Sequence, residues 1–152
     1  MKKITLIILF AACAFMCTTF IPSCGLNSED PDHPSYVSYS IGMGYTDYDG
    51  PDFLLLEIEK WIHENSVFLK EEVKYSTGAA SEFAAADAKA IKEFEKFVPK
   101  AENYFAEVKA KLARGEYGDT IKSVNGKFYA YVMRVQGEDN TLKTANVPLV
   151  FP

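Results

Sequence analysis

Between Tyr36 and Thr46, apolar and small polar residues alternate. Val37, Tyr39, Ile41, Met43 and Tyr45 take the odd positions, and Ser38, Ser40, Gly42 and Gly44 the even ones. A period of two over this length predicts a strand with one buried face. The two glycines on its other face predict that something packs closely there. Asp47 to Pro51, rich in Asp, Gly and Pro, predicts a turn. Asp52 is placed to cap a helix reaching at least Glu64, with Leu55, Ile58 and Ile62 on one face beside Leu54 and Trp61. Ser66 to Ser76 fits two readings. As helix it extends that stripe through Phe68, Leu69 and Val73 but puts Asn65 and Glu72 in the apolar face. As strand, Val67, Leu69, Val73 and Tyr75 share a face that only Glu71 spoils. Asn65-Ser66 is turn chemistry and a helix ending there has ordinary length, which decides for strand.

Gly78 and Ser81 separate this stretch from a long helix. Ile91, Phe94, Val98, Ala101, Phe105, Val108 and Leu112 recur at alternating spacings of three and four, a heptad-like seam suited to packing on a sheet. Pro99 lies inside it and cannot donate to the Glu95 carbonyl, so a kink or a break is expected there. The seam keeps its phase across the proline, which favours a kink. Gly115 ends the helix. Asn125-Gly126, between Thr120–Val124 and Lys127–Val135, predicts a tight hairpin. In the second arm Phe128, Ala130 and Val132 share one face, and Tyr129, Tyr131 and Met133 the other, which makes that strand central. Gly137 to Asn140 turn the chain again. Val147 to Phe151 makes a last short strand, whose Pro148 suits a sheet edge. The expected fold is α+β in the order β-α-β-α-β-β-β. Its sheet is mixed or antiparallel, with one short and one long, Pro-kinked helix packed on one face.

The first residues follow a different pattern. Lys2 and Lys3 precede an uncharged apolar stretch from Ile4 to Phe20. The stretch is long enough to be weighed as a membrane span, but its position and flanks favour a cleaved export signal. Ile21-Pro22-Ser23-Cys24 resembles the lipobox of bacterial lipoproteins: Ile21 at the branched position, Ser23 at the small one and Cys24 as the modified residue. The resemblance implies that Cys24 is acylated and becomes the mature N-terminus. Gly25 rather than Asp follows it, which looks like a protein released to the outer membrane. Glu29, Asp30 and Asp32 are similar to the surface-export signals of Bacteroidetes lipoproteins, although plain solubility accounts for them nearly as well. Residues 1–23 are thus read as lipoprotein signal, 24–35 as lipidated cysteine and tether, and 36–152 as one globular domain.

Composition sharpens this picture. With 152 residues and 48% hydrophobic content, the chain suffices for one domain with its own core. It carries 16 basic and 21 acidic residues; without Lys2 and Lys3 the balance is 14 to 21, a net charge of −7. Such a surface is repelled by nucleic acid and anionic lipid. All three cysteines, Cys13, Cys17 and Cys24, lie at or before the processing point, so the exported domain has no disulfide framework, thiol nucleophile or cysteine-bound zinc.

Candidate chemistry is reached mostly by elimination. The histidines are His33, in the tether, and His63, on the polar side of the first helix. One histidine supports no histidine-rich metal site, and a Ser-His-Asp triad lacks its GxSxG elbow. Gly42-Met43-Gly44 starts like a dinucleotide fingerprint, but Asp47 stands where the third glycine belongs, and there is no Walker sequence. Asp47, Asp49 and Asp52 are hard ligands of the calcium-binding type, yet an EF-hand register would put Tyr45 and Leu56 at ligand positions. Turn formation and helix capping account for the three carboxylates. Asp119-Thr120-Ile121 resembles the short O-glycosylation sequon of Bacteroidetes exported proteins, which would mark Thr120 as exposed. Tyr36, Tyr39, Tyr45 and Tyr48 crowd the start of the domain; alternation buries Tyr39 and Tyr45 and leaves Tyr36 and Tyr48 for the surface, where aromatics stack on sugars or anchor a protein partner.

The expectation is a lipid-anchored outer-membrane protein, periplasmic or surface-exposed, whose domain is a non-catalytic binding or interaction module. Its partner is an envelope protein or a glycan, with no nucleic acid, nucleotide, metal or cofactor. The alternatives are a small carboxylate-based hydrolase, or a structural subunit of an envelope assembly with an open strand edge at Val147 to Phe151.

Overall fold

The computed structural model describes residues 35–73, 83–135 and 141–152. Strand β1 (Ser35–Asp49) is followed by helix α1 (Asp52–Asn65), strand β2 (Val67–Val73), helix α2 (Ala84–Ala113), and strands β3 (Val124–Arg134), β4 (Thr141–Asn146) and β5 (Leu149–Phe151). The strands form one open, wholly antiparallel sheet in the order β2-β1-β3-β4, with β5 paired to the start of β3 beyond β4. Two helices pack on it, giving the α+β class the sequence predicts. The signal, Cys24, His33 and the acidic tether lie outside the described residues, as do Tyr75, Gly78, Ser81 and the turn at 137–140.

The alternation of β1 is realised as read: Val37, Tyr39, Ile41 and Met43 are buried. Opposite them Phe128, Ala130 and Val132 of β3 continue the same face. Both helices meet it, since Tyr39 reaches α2 and Tyr45 reaches α1. From α1 come Leu54, Ile58 and Ile62, and from α2 a stripe that includes Phe94, Phe97, Ala101, Phe105 and Val108. Trp61 stacks on Tyr104, 4.4 Å between ring centres, and joins α1 to α2.

Helix ends follow local chemistry. At the end of α1 the Asn65 side chain donates to the Trp61 carbonyl at 2.9 Å, and the Ser66 hydroxyl, at 2.7 Å, joins its own backbone N–H, at 2.9 Å, on the Ile62 carbonyl. The strand reading of the next residues is correct. At its start, however, α1 is capped by Pro51 with no side-chain hydrogen bond; Asp52 sits in the first turn, where its charge suits the dipole. Helix α2 is continuous through Pro99. Before the proline its buried stripe runs through Ala86, Ala90, Phe94 and Phe97, leaving Ile91 and Val98 only partly covered. The rest of the predicted seam, Phe94, Ala101, Phe105, Val108 and Leu112, is buried; a 3.5-residue spacing drifts around a helix with 3.6 residues per turn, which takes Ile91 and Val98 to the edge of the buried face. Gly115, at φ 70°, closes α2: its N–H donates to Leu112 and that of Glu116 to Lys111, each at 3.0 Å, a Schellman cap.

Three expectations about the strands are overturned. Asn125-Gly126 makes no hairpin: both residues lie inside β3, Gly126 opposite Tyr48 on one side and Leu149 on the other. Gly126 does not take the positive φ that a type I′ turn requires. It is glycine because a side chain there would overlap the Phe128 ring and crowd Tyr48. Residues 120–123 are therefore not a strand, and the hairpin arm beside β3 is β4, which the sequence reading left out. The final strand is Leu149–Phe151, with Pro148 just outside it. The turn expected from Asp47 begins only at Gly50, because β1 continues to Asp49 through a bulge: between Tyr45 and Tyr48 it holds one residue more than β3 holds between Phe128 and Gly126.

Candidate functional site: the outer sheet face

The side of the sheet away from the buried face is built from the even residues of β1 and β2 and the odd residues of β3. Gly42 faces Tyr131 across the β1–β3 ladder, and Gly44 faces Tyr129. A Cβ at Gly44 would stand 2.8 Å from the Tyr129 ring carbon Cζ and its hydroxyl, and one at Gly42 3.2 Å from the Tyr131 hydroxyl. The rings therefore lean across β1 into the space that hydrogen leaves, which is the close neighbour predicted from the glycines. Their centres are 6.5 Å apart, and both rings stay half-exposed. Further along β3, Tyr131 pairs with Thr144 of β4 and Tyr129 with Asn146, both exposed. Toward β2, Ser38 and Ser40 are half-exposed, while Tyr36 is 46% and Phe68 64% exposed. The Lys70 ammonium stands 4.2 Å from the centre of the Tyr36 ring.

Tyr36 thus lies on the surface as the alternation predicts, and Tyr48 does not. The bulge shifts every later residue of β1 by one, which moves Tyr48 to the buried side. There it meets Phe128 edge-on at 6.2 Å and donates to the Pro51 carbonyl at 3.1 Å. Burial, helped by Asp52 and Asp49 nearby, pushes its hydroxyl up to about 12. The outer pair Tyr129 and Tyr131 was missed as a surface feature, although the sequence places both on the second face of a central strand.

Elsewhere on the inner side, three tyrosine hydroxyls are tied to carboxylates. Tyr39 donates to Asp87 at 2.7 Å, Tyr45 to Glu59 at 2.9 Å and Tyr117 to Glu57 at 2.8 Å. Burial first, and then the bonded Glu59, push Tyr45 up to about 12. Asp87, in the first turn of α2, also accepts from Arg134 Nε at 2.9 Å and Nη2 at 2.6 Å. Burial alone would raise the Asp87 carboxyl, but the bonds from Arg134 and Tyr39 outweigh it and hold the carboxyl below its ordinary range. This cluster ties β1, β3 and α2 together, and each polar group in it is engaged by another.

The remaining candidates are dispersed. His63 is exposed on α1. Asp47 pairs with Lys127 of β3 at 2.8 Å across the bulge, and among the described residues no group of His, Cys, Asp and Glu is arranged to hold a metal. Thr120 is exposed in the turn after α2. A groove of about 330 Å³ lies between β2 and α2, lined by Leu69, Glu71, Lys89, Lys92, Glu93 and Lys96. Its charges largely answer one another, with Lys89 on Glu71 at 2.6 Å and Lys96 on Glu93 at 2.5 Å. No described helix is long and apolar enough to cross a membrane. Compared with known families, curated proteins and solved structures, the chain matches none of them.

Proposed function

We propose that the chain is a lipid-anchored envelope protein, held through Cys24, whose domain is a non-catalytic binding module that works through the outer face of its sheet. The supporting observation is the contrast within one sheet. Tyr39 and Tyr45 are packed inward, with their hydroxyls on carboxylates of the helices, whereas the Tyr129 and Tyr131 rings lie half-exposed over a glycine floor that no described element covers. Side chains kept partly in water on a rigid central strand are suited to recognition, because little ordering remains to be done on binding.

The test has two parts. Labelled fatty acid should enter the full-length protein and be lost in Cys24→Ser, which should also leave the membrane fraction. A photo-crosslinking residue replacing Ser40, at the middle of the outer face, should then yield adducts in living cells that the same residue at His63 does not. Equal yields at both positions, or none at Ser40, would reject the sheet face as the working surface.

A further inference from the structure

We infer that the ligand of this face is a neutral carbohydrate chain; the inference rests on the binding-module reading above. The first argument is charge. From Ser38 to Gly44 on β1, and across Tyr129, Tyr131 and Met133 to Thr144 and Asn146, the outer positions carry none, although 24% of the whole chain is charged. Lys70 and Glu72 lie to one side of this area, on β2, and Lys127 to the other, where Asp47 answers it. Among the described residues, an anionic polymer would find no cation in the middle of the face and an acidic protein around it; a cationic one would find no carboxylate there. An uncharged ligand matches the surface that is there.

The second argument is the kind of groups present. A sugar ring shows C–H bonds on its faces and hydroxyls around its rim. Tyr129 and Tyr131 offer ring faces for the first, while Thr144, Asn146, Ser40 and the Tyr129 hydroxyl offer donors and acceptors for the second. The glycines let both rings lean over β1, so the platform is broad and low. A protein partner draws most of its binding energy from side chains seated in well-packed pockets, and a glycine-floored sheet surface is a poor socket for them. A chain of sugars needs no socket: it can lie along successive rings 6.5 Å apart.

The experiment is native gel electrophoresis of the full-length protein in detergent, through gels containing a neutral glucan, mannan, xylan or galactan, or the anionic polygalacturonate. At least one neutral polymer should retard the protein, and polygalacturonate should not. Tyr129→Ala and Tyr131→Ala should each weaken that retardation about two- to tenfold, the range of one aromatic contact. Tyr129→Phe, which keeps the ring, should retain most of it, and His63→Ala all of it. Variants are compared only where their urea midpoints match the parent, so loss of folding is not mistaken for loss of a contact. No retardation by any neutral polymer, retardation indifferent to both tyrosines, or retardation by polygalacturonate alone would overturn the inference. If retardation is absent while Ser40 still cross-links to a protein in cells, the carbohydrate fails and the binding module stands. If Ser40 yields no adduct either, both fail.

Discussion

The two sides of β1 and β3 use the same residue types for opposite ends. On the inner side Tyr39 and Tyr45 are fasteners, each closing a hydrogen bond between sheet and helix, and Gly126 is a gap that Phe128 and Tyr48 fill. On the outer side Tyr129 and Tyr131 stay half-exposed, and Gly42 and Gly44 are gaps that the tips of these rings enter, beside the Ser66 hydroxyl at Gly42. A buried ring is fixed from every direction, and a change near it has nowhere to go. A surface ring can swing away. Glycine and tyrosine therefore mean stability on one face and surface shape on the other, and only register tells them apart.

Substitutions can break this contrast, beginning with the largest. Phe128→Ala removes the ring that meets Phe105 at 4.9 Å and Tyr45 at 5.4 Å, and should cost about 3–5 kcal/mol in urea unfolding. The paired glycine test is sharper. Gly126→Ala forces a methyl into the buried Phe128 ring and should cost about 1–3 kcal/mol, the range of core overpacking. Gly44→Ala meets only the far end of the Tyr129 side chain, which can turn outward, so it should cost less than about 1 kcal/mol while weakening retention in the polysaccharide gel. Equal costs for the two would end the distinction between the faces.

Tyr39→Phe should cost about 1–2 kcal/mol, since it removes a hydrogen bond to a carboxylate that keeps both bonds from Arg134. Asp87 adds a pH dependence whose sign is set by its lowered pKa. Its contribution is complete above the unfolded carboxyl's value near 3.8 and is lost as pH falls through the lower folded value. The gap in urea midpoint between parent and Asp87→Asn should therefore be constant from pH 7 to 5 and shrink below pH 4. The smallest effect belongs to the exposed pair across the bulge: Asp47→Ala should leave the midpoint unchanged in physiological salt.

Local periodicity made the inner face legible. Val37 to Met43 and the stripe of α1 follow from spacing, because each buries one side of one element; at Val67 to Val73 the spacing fitted helix and strand alike, and the turn chemistry of Asn65-Ser66 decided for strand. Errors arose where a residue answers to a neighbour far along the chain. Asn125-Gly126 is the strongest short-range turn signal in the domain, yet inward positions run unbroken through it as Val124, Gly126 and Phe128. Following that alternation across the glycine would have found the single strand. Tyr48 carries no mark of the bulge that inverts it, since the extra residue exists only relative to β3. The outer platform was half legible: two glycines on β1 and two tyrosines on β3 were each noted, but only their register makes them one surface.

The placing of β1 also has a mechanical consequence. This strand enters the domain at Ser35 and runs between β2 and β3, antiparallel to both. Were the chain anchored through Cys24, as proposed above, a pull on the anchor would enter the domain at the first residue of this strand. A ligand held on Tyr129 and Tyr131 would resist through β3, across the ladder from Tyr39 to Tyr45. Tension between such an anchor and such a ligand, directed along the strands, would load these hydrogen bonds in shear, all together, rather than peel them open one by one. A domain connected in this way would hold its ligand under drag with the part of its fold best able to carry a load.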